Sequence, residues 1–154
     1  MQTHLRNFEM HGRVCKLDRL EHLVFGFARV TSIDGRPVKD LDGNVIPADL
    51  LEESAYQFVL DFRTGAEKHQ TDPDTGKVRK VADLIESCVF TPEKIQVMES
   101  SLRKQGINAT INIPAVAWWI GMRVNDPDTW QKVELGQLGF FSLGGRALPA
   151  GDNE

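Results

Sequence analysis

The stretch Trp130-Gln-Lys-Val-Glu-Leu-Gly-Gln-Leu-Gly-Phe-Phe-Ser-Leu-Gly-Gly-Arg146 is predicted to form a helix followed by a strand. The rest of the fold is predicted to be organised around these two elements. A short amphipathic helix is expected to stop at Gly136, because glycine is favoured just after the last helical turn. An apolar strand follows, and its alternation carries Ser142 to a position where the pattern requires a hydrophobic residue. Gly144 and Gly145 come directly afterwards, and without Cβ atoms they allow another backbone or a substrate to approach closely.

The Ser-Leu-Gly-Gly turn after this strand has two interpretations. In the first, Ser142 is a nucleophile, and the backbone N–H groups of Leu143, Gly144 and Gly145 face a developing negative charge. In the second, the strand simply ends in a glycine turn, and the Ser142 hydroxyl is a hydrogen-bonded group of the core. The residues of this stretch are compatible with both interpretations.

The composition predicts one globular domain over residues 1–154, with a core of about 12–147 and a polar, frayed tail at 150–154. The formal net charge is −4, so the sequence has no excess of positive charge that would indicate binding to nucleic acid or to an anionic membrane surface. We expect neither a membrane span nor a signal peptide, and two cysteines are too few for a disulfide framework. The sequence therefore predicts a protein of a reducing cytoplasm or of a particle assembled there.

Several strand-like runs are interrupted by three capped helices at irregular intervals. The strand-like runs cover residues 12–17, 22–31, 77–90, 115–124 and the segment around Ser142, with a weaker one at 108–114. The helices are expected to begin at Pro47, Thr91-Pro92 and Asp126-Pro127, because proline suits the first helical turn. A regular strand–helix–strand rhythm, typical of a parallel sheet, is absent. The predicted fold class is therefore α+β, with a mostly antiparallel, barrel-like β-sheet surrounded by about three helices.

The helix after Pro47 has an apolar stripe that indicates which side faces the core. The stripe consists of Leu51, Ala55, Phe58 and Phe62. We expect this helix to end at about residues 63–64, just before Gly65.

The strand predicted over residues 77–90 carries a carboxylate among hydrophobic residues. By strict alternation, Glu86 shares a face with Ala82, Leu84, Cys88 and Phe90. An unpaired buried carboxylate costs several kcal/mol, so Glu86 requires a partner or an aqueous cleft. The alternative is a β-bulge or an exposed strand edge that turns Glu86 to water.

The ionisable and nucleophilic residues favour acyl-transfer chemistry over metal or nucleotide chemistry. His11 and Cys15 are four residues apart, but in a predicted strand this spacing does not form a metal pair. No phosphate-binding or dinucleotide-binding motif is present, so we predict neither a metal nor a cofactor. One isolated histidine, His69, one strand carboxylate, and two candidate serines, Ser87 and Ser142, remain. Histidine, carboxylate and serine can form a nucleophilic triad on many folds and in any chain order.

The order of motifs along the chain resembles one protein family. In sequence, the motifs are Phe25-Gly26-Phe27, an Asp-x-Asp-Gly-x-Val-Ile-Pro loop at 40–47, an acidic helix with Ala-Tyr-Gln-Phe at 55–58, His69, Glu86-Ser87, Trp-Trp-Ile-Gly at 118–121, and the stretch 130–145. This pattern resembles the XkdF-type phage serine proteases, which are relatives of the tailed-phage prohead proteases that mature capsids. The resemblance extends over about residues 12–146, and the last motif is its most specific part.

The resemblance implies a fold like that of the herpesvirus assemblins, a mostly antiparallel barrel with helices around it. It implies a serine–histidine site in which His69 matches the family histidine and Ser142 matches the serine of a Ser-Ile-Gly motif. The related proteases carry an acidic residue on a strand after the serine, whereas this chain ends soon after Ser142. Glu86 is the substitute predicted here, from its strand face alone, and Ser87 is the alternative nucleophile.

The resemblance also implies a biological role. It predicts an endopeptidase that cleaves scaffold and major capsid proteins, and its own chain, inside a prohead assembling in the host bacterial cytoplasm. The assemblins form dimers, so a homodimer is expected, and neither nucleic acid nor a membrane is an expected partner. The alternative is a phage structural or adaptor domain that keeps the fold without the chemistry. A small-ligand binding barrel is a third, weaker alternative.

Overall fold

The computed structural model describes residues 11–39, 43–71, 73–76, 78–113, 115–136 and 140–143. The strands are β1 His11–Asp18, β2 Leu23–Ile33, β3 Arg36–Pro37, β4 Thr64–Thr71, β5 Val78–Phe90, β6 Ala115–Val124 and β7 Phe140–Leu143. The helices are α1 Ala48–Gln57, α2 Pro92–Lys104 and α3 Pro127–Glu134, and a π-helical turn, Phe58–Phe62, continues α1. The predicted tail at 150–154 lies outside the described residues.

The strands form one antiparallel sheet in the order β1-β7-β4-β5-β6-β2-β3, and β1 also pairs with β2. Every pairing described between these strands is antiparallel. Together with the three α-helices, this confirms the predicted α+β class. The last described strand, β7, lies between the first described strand, β1, and β4.

Strand β6 forms the centre of the hydrophobic core. It lies between β5 and β2, and one of its faces is almost completely removed from water. The residues of that face are Val116, Trp118, Ile120, Met122 and Val124. Helix α1 packs against β5 and β6, and Leu51 and Ala55 join the same core cluster. This face is therefore the inner side of the sheet.

Three of the four residues predicted for the apolar stripe of the first helix are buried, and the fourth is partly exposed. Leu51, Ala55 and Phe58 are buried, whereas Phe62 is 37% exposed. The reason is the π-helical turn, in which the Arg63 N–H bonds to the Phe58 carbonyl five residues earlier. The wider turn changes the residue period, so a side chain four residues after Phe58 no longer lies on the same stripe. The helical run still ends before Gly65, because Arg63 adopts a left-handed conformation with φ of 53°.

The other two helices start where the caps predict. The Thr91 side chain accepts a hydrogen bond from the Lys94 N–H, and Pro92 begins α2. The Asp126 side chain accepts one from the Thr129 N–H, and Pro127 begins α3. Pro47 differs slightly from its prediction, because it precedes the first helical residue of α1.

Two turns connect the strands as their sequences indicate. Asp34 and Gly35 join β2 to β3 with positive φ angles of 51° and 74°, the backbone that a two-residue hairpin turn requires. The turn at Pro73–Thr75 joins β4 to β5. Among the described helices, none is long and apolar enough to cross a membrane.

Candidate active site

Ser142 lies on β7, between two strands that are distant from it in sequence. On one side it pairs with His11 of β1, and on the other side it pairs with Ala66 of β4. Leu143, one of the predicted oxyanion residues, pairs with Gly65. Gly144 and Gly145 lie outside the described residues.

His69 lies on β4, three residues beyond the partner of Ser142. The β4–β5 ladder is irregular here, because the five-residue step from Ala66 to Thr71 faces only a two-residue step from Lys80 to Val78. Three residues of β4 therefore have no counterpart on β5, and His69 belongs to this bulged section. Bulges are over-represented next to active sites, where they redirect a side chain. The structure thus brings the two strands that carry Ser142 and His69 together.

The position of Glu86 shows that β5 does not keep the strict alternation predicted from the sequence. Leu84 pairs with Met122 and Glu86 pairs with Gly121, so one extra residue, Ile85, forms a bulge between them. The bulge reverses the phase of the strand, and Glu86 lies on the face opposite Leu84. Leu84 packs against the core, whereas Glu86 is exposed. The prediction that Glu86 shares an apolar face with Leu84 is therefore wrong, because a bulge interrupts the two-residue period.

The Glu86 carboxylate has a defined partner on the outer face of the sheet. Its Oε1 atom accepts a hydrogen bond of 2.8 Å from the indole Nε1 of Trp119. Phe25 and Phe27 lie beside the same indole, with ring centroids 6.4 and 5.1 Å from it. Gly121 allows this arrangement, because a Cβ atom there would lie 2.8 Å from both the Glu86 Cγ atom and the Phe25 ring.

The strand register does not bring Glu86 to His69. Thr64, the first residue of β4, pairs with Asp83, and His69 lies opposite the segment of β5 between Val78 and Lys80. Glu86 is at least six residues further along β5, which corresponds to roughly 20 Å at about 3.3 Å per residue.

Ser87 lies on the inner face of the sheet and has a structural partner. It pairs with Ile120, and its Oγ atom accepts a 2.8 Å hydrogen bond from the Nε1 of Trp118. Trp118 is completely buried. A buried indole N–H needs an acceptor, so this contact gives Ser87 a role in the core.

His11 is the residue near Ser142 that the sequence reasoning did not select. It lies 131 positions before Ser142 in the sequence, and its spacing to Cys15 gives no metal pair. The structure places His11 directly opposite Ser142 in the β1–β7 ladder. Only the strand order reveals this neighbour, and no local motif marks it.

Among the described residues, the charged groups with shifted pKa values lie in ion pairs. Hydrogen bonds from Tyr56 and Lys94 lower the pKa of Glu52, and the Lys94 ammonium lies 3.0 Å from that carboxylate. A hydrogen bond from Lys80 lowers the pKa of Asp83. Within the described part of the chain, no group of three or more histidine, cysteine, aspartate or glutamate residues could hold a metal ion.

Comparison with known proteins agrees with the resemblance seen in the sequence. A family model described as "Putative phage serine protease XkdF" matches residues 13–149. No curated protein and no solved structure matches the chain. Because the family match covers most of the sequence, the chain belongs to the XkdF family of putative phage serine proteases.

Proposed function

We propose that the protein is a serine endopeptidase of phage capsid maturation, which cleaves scaffold and major capsid proteins, and its own chain, during prohead assembly. The observation that carries the proposal is the family match over residues 13–149. Family membership supports a phage serine protease, and the prohead role is inferred from the resemblance to capsid maturation proteases. The site of action would be the assembling prohead in the host bacterial cytoplasm.

In the proposed reaction, Ser142 is the nucleophile and His69 is its general base. The serine oxygen attacks the peptide carbonyl carbon while its proton moves to the imidazole, since a hydroxyl is a poor nucleophile without a base. The C–N bond then breaks, and the imidazolium returns the proton to the leaving amine. Water activated by the same imidazole hydrolyses the acyl-enzyme and regenerates the serine.

The β4–β7 pairing supports this pair of residues. Ala66 faces Ser142, and three residues of an extended strand to His69 would span about 10 Å. The bulge in β4 gives the stretch from Ala66 to Thr71 three more residues than the part of β5 that it faces, and bulges next to active sites commonly redirect a side chain.

The oxyanion would be bound by backbone N–H groups that follow the nucleophile, from the set Leu143, Gly144 and Gly145. The sequence supports this role, because two glycines remove the side chains that would keep a substrate carbonyl away.

For the third position of the triad, Glu86 stays a prediction from the sequence. Its hydrogen bond to Trp119 and its separation from His69 along the ladder give it no support. This observation favours one alternative function, a catalytically inactive structural or adaptor domain with the same fold.

We further propose that the sheet closes into a barrel of the assemblin type and that the protein forms a homodimer. The support for closure is that β1 pairs with β7 on one side and with β2 on the other. A closed sheet has no unpaired edge strands, which would otherwise invite aggregation. The dimer rests on the resemblance alone.

The proposed function is tested by co-expressing the chain with the scaffold and major capsid proteins of its own phage. We expect cleaved products with the unchanged protein and none with Ser142→Ala or His69→Ala, provided that each variant keeps the circular dichroism of the original chain. Intact partners beside a correctly folded, unchanged protein would instead favour the inactive structural domain.

A further inference from the structure

Four neighbouring strands place one row of residues across the outer face of the sheet. Lys16 of β1 pairs with Phe25 of β2, and Phe25 pairs with Gly121 of β6. Gly121 pairs in turn with Glu86 of β5, so the row runs from a lysine to a glutamate. Three interstrand spacings of about 4.8 Å place the Cα atoms of these two charged residues roughly 14 Å apart.

Side-chain contacts agree with this row. The Lys16 ammonium lies over the Phe25 ring, 5.1 Å from its centroid. A Cβ atom at Gly121 would lie 2.8 Å from both the Phe25 ring and the Glu86 Cγ atom, so these two side chains approach each other over the glycine. Lys16 and Glu86 are exposed, and Phe25 is half-buried. The row therefore has two accessible charges of opposite sign with an aromatic ring between them.

A pair of aromatic residues lies beside this row. Phe27 of β2 pairs with Trp119 of β6, and their rings make an edge-on contact with centroids 5.1 Å apart. Like Phe25, both side chains are half-buried. The solvated face of an antiparallel sheet usually carries polar side chains. Three partly accessible aromatic rings at its centre are typical of a surface that binds another protein.

We propose that this outer face, formed by Lys16, Phe25, Phe27, Glu86 and Trp119, binds the same face of a second copy of the chain. A two-fold interface is self-complementary, because every contact between two residues occurs twice with the roles exchanged. If the axis runs parallel to the strands, midway between β2 and β6, Lys16 of one copy faces Glu86 of the other. The same axis places Phe27 opposite Trp119. Stacked sheets lie about 10 Å apart, a gap that the long lysine and glutamate side chains bridge together.

The distribution of charge favours a second copy as the partner. A face with charges of one sign would repel its own copy, whereas this face has a positive end and a negative end. The Glu86 carboxylate accepts the Trp119 N–H at Oε1, and a carboxylate can accept a further donor at its other oxygen. Two lysine–glutamate pairs therefore form across the axis, one at each end of the row.

The inference assigns a surface to the proposed homodimer and does not depend on the chemistry at Ser142. Standard interfaces contain roughly 20–30 residues on each side, and the face described above has five at its centre. We therefore expect a weak dimer with a dissociation constant in the micromolar range.

The test is sedimentation velocity of the full-length chain and of two charge-reversed variants, Lys16→Glu and Glu86→Lys, at micromolar concentrations. We expect the unchanged chain to dimerise. Each variant alone should dimerise at least about tenfold more weakly, because like charges then face each other at both ends of the row. An equimolar mixture of the two variants should form a heterodimer of nearly the original affinity, because every contact again joins opposite charges. Mixing cannot repair a folding defect or a contact within one chain.

Matched controls make the same charge changes elsewhere. Lys39→Glu and Glu134→Lys alter exposed residues that are not part of this face, and both should dimerise like the unchanged chain. If Glu86→Lys does not fold, Glu86→Gln replaces it, because glutamine keeps an acceptor for the Trp119 N–H. Glu86→Gln alone should then weaken the dimer.

The outcomes separate the face, the homodimer and the protease. A dimer of unchanged affinity in both variants, or variants that weaken it without recovery in the mixture, would overturn the assignment of this face and leave the homodimer in place. A folded, unchanged chain that stays monomeric at several hundred micromolar would overturn the homodimer and this inference together. The proposed serine chemistry is unaffected by either result.

Discussion

At the scale of single residues, two neighbouring polar side chains on β5 each bond to one of two neighbouring tryptophans on β6. Ser87 accepts the Trp118 N–H on the inner face, and Glu86 accepts the Trp119 N–H on the outer face. Both residues looked catalytic in the sequence, and the structure gives both a structural partner. These contacts predict how the two residues respond to substitution.

Replacing Ser87 by alanine should destabilise the fold and leave the chemistry intact. The variant removes the only described acceptor of an indole N–H in a completely buried side chain, which costs about 1–3 kcal/mol. Urea denaturation measures the loss, and Ser101→Ala on the exposed surface of α2 is the matched control with almost no expected change. A Ser87→Ala variant of full stability that cannot form the fluorophosphonate adduct would identify Ser87 as the nucleophile.

Replacing Glu86 by glutamine should change the rate of substrate cleavage by less than tenfold. Glutamine keeps an oxygen that can accept the Trp119 N–H, so the outer face stays intact while the charge is lost. The measurement is the rate of cleavage of a co-purified capsid or scaffold substrate. Removing the charge of a carboxylate that orients a catalytic histidine costs about 10,000-fold, and a loss of that size would restore Glu86 as the third catalytic residue.

At the scale of elements, Gly121 decides how closely β5 and β2 pack their side chains over β6. An added Cβ atom would lie 2.8 Å from the Glu86 Cγ atom on one side and from the Phe25 ring on the other. We expect Gly121→Ala to lower the free energy of unfolding by about 1–3 kcal/mol, as overpacking usually does. Thermal unfolding followed by circular dichroism measures this, and an unchanged or higher melting temperature would show that the outer face has room to adjust.

The cap of α3 predicts a pH-dependent stability. Hydrogen bonds from Thr129, together with the Arg79 guanidinium at 2.5 Å, lower the pKa of the Asp126 carboxyl group. Because the folded-state pKa lies below the unfolded value of about 3.9, the ionised carboxylate stabilises the fold above that pH. This contribution is lost as the pH falls through the folded-state pKa.

The variant Asp126→Asn isolates this effect, since asparagine caps a helix about as well as aspartate but does not ionise. We expect urea unfolding at pH 6 and pH 3 to show a smaller acid-induced loss of stability for Asp126→Asn than for the unchanged chain. Glu52 and Asp83 are present in both proteins and contribute the same background. Equal losses in the two proteins would contradict the assignment to Asp126.

Element boundaries were predictable from the sequence where local chemistry determines them. Thr91-Pro92 and Asp126-Pro127 predicted the starts of α2 and α3. The π-helical turn at Phe58–Phe62 was not predicted, and the bulge at Ile85 was predicted only as the alternative for Glu86, because each inserts extra backbone into a regular period. The bulge makes the strict alternation of Glu86 wrong and agrees with the alternative in which Glu86 turns to water.

At the scale of the whole molecule, the strand order brings the first and the last described strands together. β7 pairs with β1 and β4, so the candidate nucleophile lies beside residues 131 and 76 positions earlier in the sequence. The α+β class followed from strand-like runs interrupted by capped helices, and both are local properties of the sequence. The neighbours of Ser142 depend on long-range pairing, which no local pattern encodes, and His11 was therefore missed.

The central claim is that Ser142 is an activated nucleophile, and it is tested by mapping the fluorophosphonate adduct on the folded, full-length chain by peptide mass spectrometry. We predict a single adduct on the peptide that contains Ser142, which disappears in Ser142→Ala and persists in Ser87→Ala. An adduct on Ser87, or no adduct on a protein whose fold is intact, would contradict the claim.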